Sequence, residues 1–288
     1  MRARFRRLML LAAAVALLIV SVVPAEAVTN GELDGEDHPL VVLLLMDVGG
    51  APAFRCSATL LSPTVVLTAG HCTNNFPGSP YTGMRIFTES DVDNGNNTYP
   101  FAGGPNSVEA VAWAAHPLYE TAPFFVHDVG VVILEEPGVT GLSEYGEMPR
   151  AGQLDSLANR RGLQNVFFDS VGYGLQQINP VFVQAKRVRM IANPHLIQIG
   201  SPGFVGDFSL LLSNNHSTGG TCFGDSGGPN FFEGSNVVAG VTSFGLNGNC
   251  AGTGGVFRID QQDVLDFVAD FPAEYENSGN GKGKGKNK

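Results

Sequence analysis

Apolar residues come in short runs along this chain. Leu40–Met46, Thr64–Thr68, Val108–Trp113, Val129–Leu134, Val166–Val171, Phe182–Ile191 and Val237–Phe244 are rich in Val, Leu, Ile and Phe. Clusters of Gly, Pro and Asn separate them, at Asp47–Pro52, Asn74–Pro80, Asp91–Asn97 and Ala102–Asn106. Short strands at regular spacing with turn residues between them predict an all-β protein, a sandwich or a barrel. Helical periodicity is clear once. Within Asp260–Phe271, Val264, Leu265, Phe267, Val268 and Phe271 fall mostly on one face, and Asp260 is placed to cap the start.

The two ends depart from this pattern. Arg2, Arg4, Arg6 and Arg7 precede an uncharged apolar run, Leu8–Val23, and Ala25-Glu26-Ala27 follows as a small-x-small site. This is the layout of a secretory signal over residues 1–27. A run of 16 residues is short for a bilayer span, so a permanent membrane anchor is not expected. Residues 277–288 (NSGNGKGKGKNK) are Gly/Lys-rich and hold too little apolar surface to order themselves. The 261 residues after the signal carry a net charge of −13, and the part before the Lys tail carries −17. Such an acidic body argues against nucleic acid as a partner. An even count of four cysteines in a secretory context predicts two disulfides.

Candidate chemistry begins at Thr221-Cys222-Phe223-Gly224-Asp225-Ser226-Gly227-Gly228-Pro229, where a serine sits among three glycines. A serine hydroxyl needs a base to take its proton, and a neutral imidazole oriented by a buried carboxylate supplies one near neutral pH. Thr68-Ala69-Gly70-His71-Cys72 and His127-Asp128-Val129-Gly130-Val131-Val132-Ile133-Leu134 offer His71 and Asp128 beside apolar strands. An α/β-hydrolase places its histidine after the serine; all six histidines here precede Ser226, which excludes that class.

With these three motifs, in the order His71, Asp128, Ser226, the sequence resembles the chymotrypsin-like (trypsin-fold) serine peptidases over nearly all of residues 28–271. Val171-Gly172-Tyr173-Gly174 and Ser243-Phe244-Gly245 are similar to two further family segments, with Tyr and Phe where the family has Trp. The resemblance implies two antiparallel six-stranded β-barrels, residues 28–148 and 149–276, with the active site between them and a C-terminal helix. It implies disulfides Cys56–Cys72 and Cys222–Cys250, and an oxyanion hole from the N–H groups of Gly224 and Ser226. It further implies a substrate strand along Ser243–Gly245, and an ion pair between Asp225 and the α-amino group of a chain starting at Val28. A secreted, monomeric peptidase acting on proteins or peptides, without cofactor and open to a protein inhibitor, is the expected activity. A binding protein or an esterase on the same fold is the alternative.

The same comparison assigns Gly220, Thr221, Ser243, Phe244, Gly245 and Gly255 to the specificity pocket. The trypsin-like members hold an aspartate where this chain has Gly220, and a buried cation without a counter-charge is costly. A neutral, apolar or aromatic residue before the scissile bond is therefore expected. Glu89, Asp91, Asp93 and Asn94 stand roughly where the family has a calcium loop, and a solvated acidic turn explains them equally well.

Overall fold

The computed structural model of the protein describes residues 28–74, 80–120, 123, 125–179, 182–201 and 206–278. The expected signal segment, 1–27, and the tail from residue 279 lie outside the described residues.

The N-terminal half is a closed barrel. Its strands are β2 (Val41–Val48), β3 (Ala51–Leu60), β4 (Val65–Thr68), β5 (Tyr81–Phe87), β6 (Ser107–Ala115) and β7 (Gly130–Leu134), paired in the order β2-β3-β4-β7-β6-β5. A two-residue turn at Gly49-Gly50, both at positive φ, joins β2 to β3. Closure removes free strand edges. Val41 to Met46 are all buried, on both faces of β2, because one face fills the barrel and the other packs on the C-terminal half. β7 is buried throughout for the same reason.

The C-terminal half is also antiparallel, a curled half-barrel sheet of eight strands that supplies the second half of the expected two-barrel fold. The order is β1 (Glu32–Leu33), β11 (Met190–Ala192), β8 (Phe168–Gly172), β14 (Pro229–Phe232), β15 (Val238–Gly245), β16 (Gly252–Arg258), β13 (Gly206–Asn214) and β12 (Leu196–Ser201). A small hairpin, β9 (Gln177–Asn179) with β10 (Phe182–Gln184), stands apart. Strand β1 comes from the N-terminal segment, pairing Glu32 with Ile191 and Leu33 with Met190. The N-terminal segment is thereby stitched into the far half of the molecule.

One apolar core joins the two halves. Leu43, Leu44, Leu67 and Val132 of the barrel form a single cluster with Phe231, Val241, Phe257 and Ile259 of the sheet. Fully burying one such side chain stabilises the fold by about 1.5–3 kcal/mol. The C-terminal helix, Gln262–Asn277, adds Val264 and Val268 to that core. Asp260 does not cap this helix: Gln261 holds the cap position without a side-chain bond. The Asp260 carboxylate is instead buried, accepting from Arg258 and from the Leu154 N–H. A buried ion pair and a hydrogen-bonded carboxylate gain more there than at an exposed first turn.

A second polar node locks the halves together. Arg189 is fully buried; its Nε lies 2.8 Å from Asp34 Oδ2, and its other donors reach the carbonyls of Gly35 and Val41 and the Tyr173 hydroxyl.

Candidate active site

The site forms where the barrel meets the sheet. Strand β4 ends at Thr68, and the short helix Gly70–Thr73 follows, carrying His71. Asp128 immediately precedes Val129 and β7, the partner of β4, so antiparallel pairing of Thr68 with Gly130 brings the two residues together. His71 Nδ1 lies 2.9 Å from Asp128 Oδ2, and the His71 N–H donates to Asp128 Oδ1 at 2.8 Å. The Ser243 hydroxyl donates to Asp128 Oδ2 from the other half. Asp128 is fully buried, whereas the His71 side chain keeps 22% of its surface exposed. Burial pulls the His71 pKa down, but the charge and hydrogen bond of Asp128 outweigh it and the net shift is upward from 6.5.

His127, just before the acid, adopts φ +52° and stacks on His116. Its Nε2 lies 3.2 Å from Asp263 in the first turn of the C-terminal helix. His127 and His116 therefore tie that helix to the Asp128 loop.

The nucleophile loop is held against this pair by small contacts. The Ser57 N–H of β3 donates to the Ser226 carbonyl at 2.8 Å, and Gly227 N–H donates to Thr242 O. A Cβ at Gly227 would lie 2.0 Å from Thr68 Oγ1 and 2.7 Å from Ala69 N, and φ is +76°. Only glycine permits that approach, which sets the serine loop beside the segment leading to His71. Among the described residues Ser226 Oγ has no hydrogen bond, so its bond to His71 is not made in this structure. The N–H groups of Gly224 and Ser226 likewise have no acceptor among the described residues, while those of Asp225, Gly227 and Gly228 do. Two free, neighbouring donors beside a serine can receive a developing oxyanion.

Ser57 was not singled out in the sequence. Its hydroxyl donates to Gly224 O at 2.9 Å and accepts from Tyr173 N–H at 2.9 Å, which fixes the loop carrying the free donors. The disulfides pair as Cys56–Cys72, linking β3 to the histidine helix, and Cys222–Cys250, linking the serine loop to the turn before β16. Cys56, His71 and Cys72 cluster closely, but both thiols are consumed in the disulfide and offer no thiolate to a metal.

Asp225 is buried, and among the described residues its carboxylate accepts only from Gly174 N–H (2.7 Å) and Cys222 N–H (2.8 Å). Burial pushes its pKa up to about 7, against those two donors and the charge of Arg55. Val28 is fully buried with Met190 and Ala192, and Thr29 bridges to Gly220. With residues ahead of it, the Val28 nitrogen is a peptide amide and not an α-amino group.

The residues assigned to the specificity pocket divide between two faces. A Cβ on Gly220 would sit 2.3 Å from Asn214 Cγ. The Asn214 amide occupies that space, donating to Thr221 O and accepting from Thr29 Oγ1. Gly254, not Gly255, faces Thr221, with a Cβ position 3.1 Å from Thr221 Oγ1. Gly255 lies under the Phe244 ring, whose atoms come within 2.2 Å of its Cβ position. The reason is a register shift between Thr242 and Phe244, which pairs Phe244 with Gly255 and Gly245 with Gly254; a one-residue slip exchanges the faces. Phe125 packs 5.5 Å from the Phe244 ring.

The acidic loop satisfies itself. Glu89 accepts from Asn96, Asn97 and Asn106, Asp91 from Asn94, and Asp93 pairs with Arg187.

Comparison with known proteins bears on the family and the fold. The family model Trypsin matches residues 32–268. A collagenase of Hypoderma lineatum is 22% identical over 195 residues, covering 68% of this chain and 67% of the relative. The solved structure of HL collagenase superposes with a TM-score of 0.61 at 18% identity, over 87% of this chain and 98% of its own. The protease Anisep from Arthrobacter nicotinovorans gives a TM-score of 0.53 at 18% identity, over 76% of this chain and 90% of its own. At those identities the superpositions speak to the fold.

Proposed function

The chain belongs to the Trypsin family, and from that premise we propose that it is a secreted serine endopeptidase working through Ser226, His71 and Asp128. The observation that carries this reading is the His71–Asp128 pair beside a serine loop with two unoccupied N–H donors. His71 takes the Ser226 proton as the hydroxyl attacks the substrate carbonyl. The carbonyl oxygen becomes an oxyanion in reach of the Gly224 and Ser226 N–H groups. The protonated imidazole, held by Asp128, then gives its proton to the leaving amine, and water repeats the sequence on the acyl-enzyme.

A neutral, apolar residue on the acyl side is supported by Gly220, Asn214 and Thr221, which bring no charge to the pocket floor. Phe125 and Phe244 add an apolar wall. Preference for Arg over Phe in a chromogenic panel would refute this part. Among the described residues no helix is long and apolar enough to cross a membrane.

Activation follows from the new N-terminus. Cleavage after Ala27 frees the α-amino group of Val28, which is already docked against the sheet, and that group neutralises Asp225. N-terminal sequencing of the active protein tests it; a different start with full activity contradicts it. For the function itself, an organophosphonate should label Ser226, and the label and casein cleavage should both vanish in Ser226→Ala. Labelling without protein cleavage would favour an esterase, and no labelling a binding protein.

A further inference from the structure

Five arginines among the described residues are buried or half-buried: Arg55, Arg85, Arg187, Arg189 and Arg258. Four of them face a carboxylate: Arg85 meets Asp47, Arg187 meets Asp93, Arg189 meets Asp34 and Arg258 meets Asp260. Arg55 has no ion pair and no side-chain hydrogen bond among the described residues. Its charge acts on the buried Asp225 carboxyl, but without a hydrogen-bonded partner a half-buried guanidinium is poorly compensated for the hydration it loses. On a chain of net charge −10, such a group stands out as a site for an incoming anion.

Its location says which part of a substrate would meet it. Arg55 Nε lies 3.4 Å from the Cβ position of Gly224, one of the two residues with a free N–H. Arg55 precedes Cys56, which is bonded to Cys72 next to His71. In the reading above, the acyl segment runs along Ser243–Gly245 and the leaving amine turns towards His71. The residues after the scissile bond must then leave on the opposite side, over β3 and Arg55. Asp225, whose carboxyl feels the Arg55 charge, is buried and already hydrogen-bonded to Gly174 and Cys222.

We propose that Arg55 is a specificity-determining residue on the leaving-group side. It receives a carboxylate carried by the first two residues after the scissile bond, either an Asp or Glu side chain or the C-terminus of a short peptide. The proposal rests on the endopeptidase reading and adds to it a substrate class. The acidic body disfavours acidic substrates at long range, and Arg55 reverses that preference locally.

The test uses the active protein and peptides with one constant apolar acyl segment. The leaving segments are Asp- or Glu-containing with an amide end, Ala-containing with an amide end, Ala-containing with a free carboxylate, and Lys-containing with an amide end. Each kcat/KM is divided by that of the same protein on a nitroanilide with the same acyl segment, so damage to fold or triad cancels. For a partly exposed charge pair the expected preference for a carboxylate over the Ala amide is about three- to tenfold, shrinking with added salt. It should fall to about one in Arg55→Gln and be partly kept in Arg55→Lys. Whether the side-chain or the C-terminal arm carries the preference identifies the source of the carboxylate. Equal cleavage of all peptides, or a preference that survives Arg55→Gln, overturns the proposal and leaves the endopeptidase reading standing. Absence of cleavage on every peptide and on the nitroanilide overturns both.

Discussion

Two buried carboxylates belong to the proposed site around Ser226, and they are in opposite states. Asp128, in the barrel half, is surrounded by partners: the His71 ring and N–H, and the Ser243 hydroxyl. Asp225, in the sheet half, is as deeply buried, but among the described residues it accepts from two backbone N–H groups alone, and burial pushes its pKa up to about 7. Folding alone completes the first. In the proposed activation the second is completed only when an α-amino group is freed at Val28. A third buried carboxylate, Asp34, shows what completion looks like. Burial opposes its charged form, yet His38 and Arg189 together hold its pKa below the usual range.

The largest effect that would break this comparison is expected at Asp128. Asp128→Asn keeps the packing but removes the charge that orients and stabilises the His71 imidazolium. Peptide kcat should fall by about 10⁴, with the melting temperature little changed.

Asp225→Asn tests the other side. It removes the charge that the new N-terminus is to meet, and kcat should fall by about 10²–10³ as the oxyanion donors lose their fixed position. In the uncleaved chain the same substitution should change how stability depends on pH. Burial raises the folded pKa of Asp225 from the usual 3.8 to about 7. The fold therefore holds the proton more tightly than the unfolded chain, and stability falls as pH rises from about 4 to about 7. Denaturant unfolding across that range should show this slope in the parent chain and lose it in Asp225→Asn.

Arg189→Met sharpens the contrast by uncovering Asp34. Leaving a buried carboxylate without its cation costs about 3–5 kcal/mol, read as a lower unfolding midpoint. Equal midpoints would mean that this node does not hold the N-terminal segment.

How much of this was legible in the chain depends on the kind of residue. The triad motifs are contiguous and chemically unusual, so His71, Asp128 and Ser226 stood out at once. The strands with continuous apolar runs, such as Val41–Val48 and Gly130–Leu134, were equally visible. Strand β3 was not, because its first half is largely exposed and mixed in character. Strand β16 opens on glycines, which carry no side-chain pattern. The choice between Gly254 and Gly255 turned on a bulge in β15, and nothing in a glycine pair signals its face. Asn214, Ser57 and Arg189 act through partners 7 to 185 positions away, so each read as an ordinary polar residue until the fold brought them together.

Two smaller effects remain. Ser57→Ala removes the hydroxyl between Gly224 O and Tyr173 N–H. A lost buried hydrogen bond of this kind costs about 1–3 kcal/mol, expected here as a several-fold loss in kcat with KM little changed. The acid limb of kcat/KM should have its midpoint above 6.5, because Asp128 raises His71 and the base must be neutral to act. A midpoint below 6.5 would mean that the His71–Asp128 pair is weaker in solution than its geometry.

The most direct test of the contrast between Asp128 and Asp225 compares two otherwise identical proteins, one beginning at Val28 and one retaining residues ahead of it. The quantity to measure is the rate at which an organophosphonate labels Ser226. Fast labelling of the Val28 form and labelling slower by at least about 10² in the extended form is the result expected if Asp225 awaits the α-amino group. Equal rates in the two proteins would contradict it.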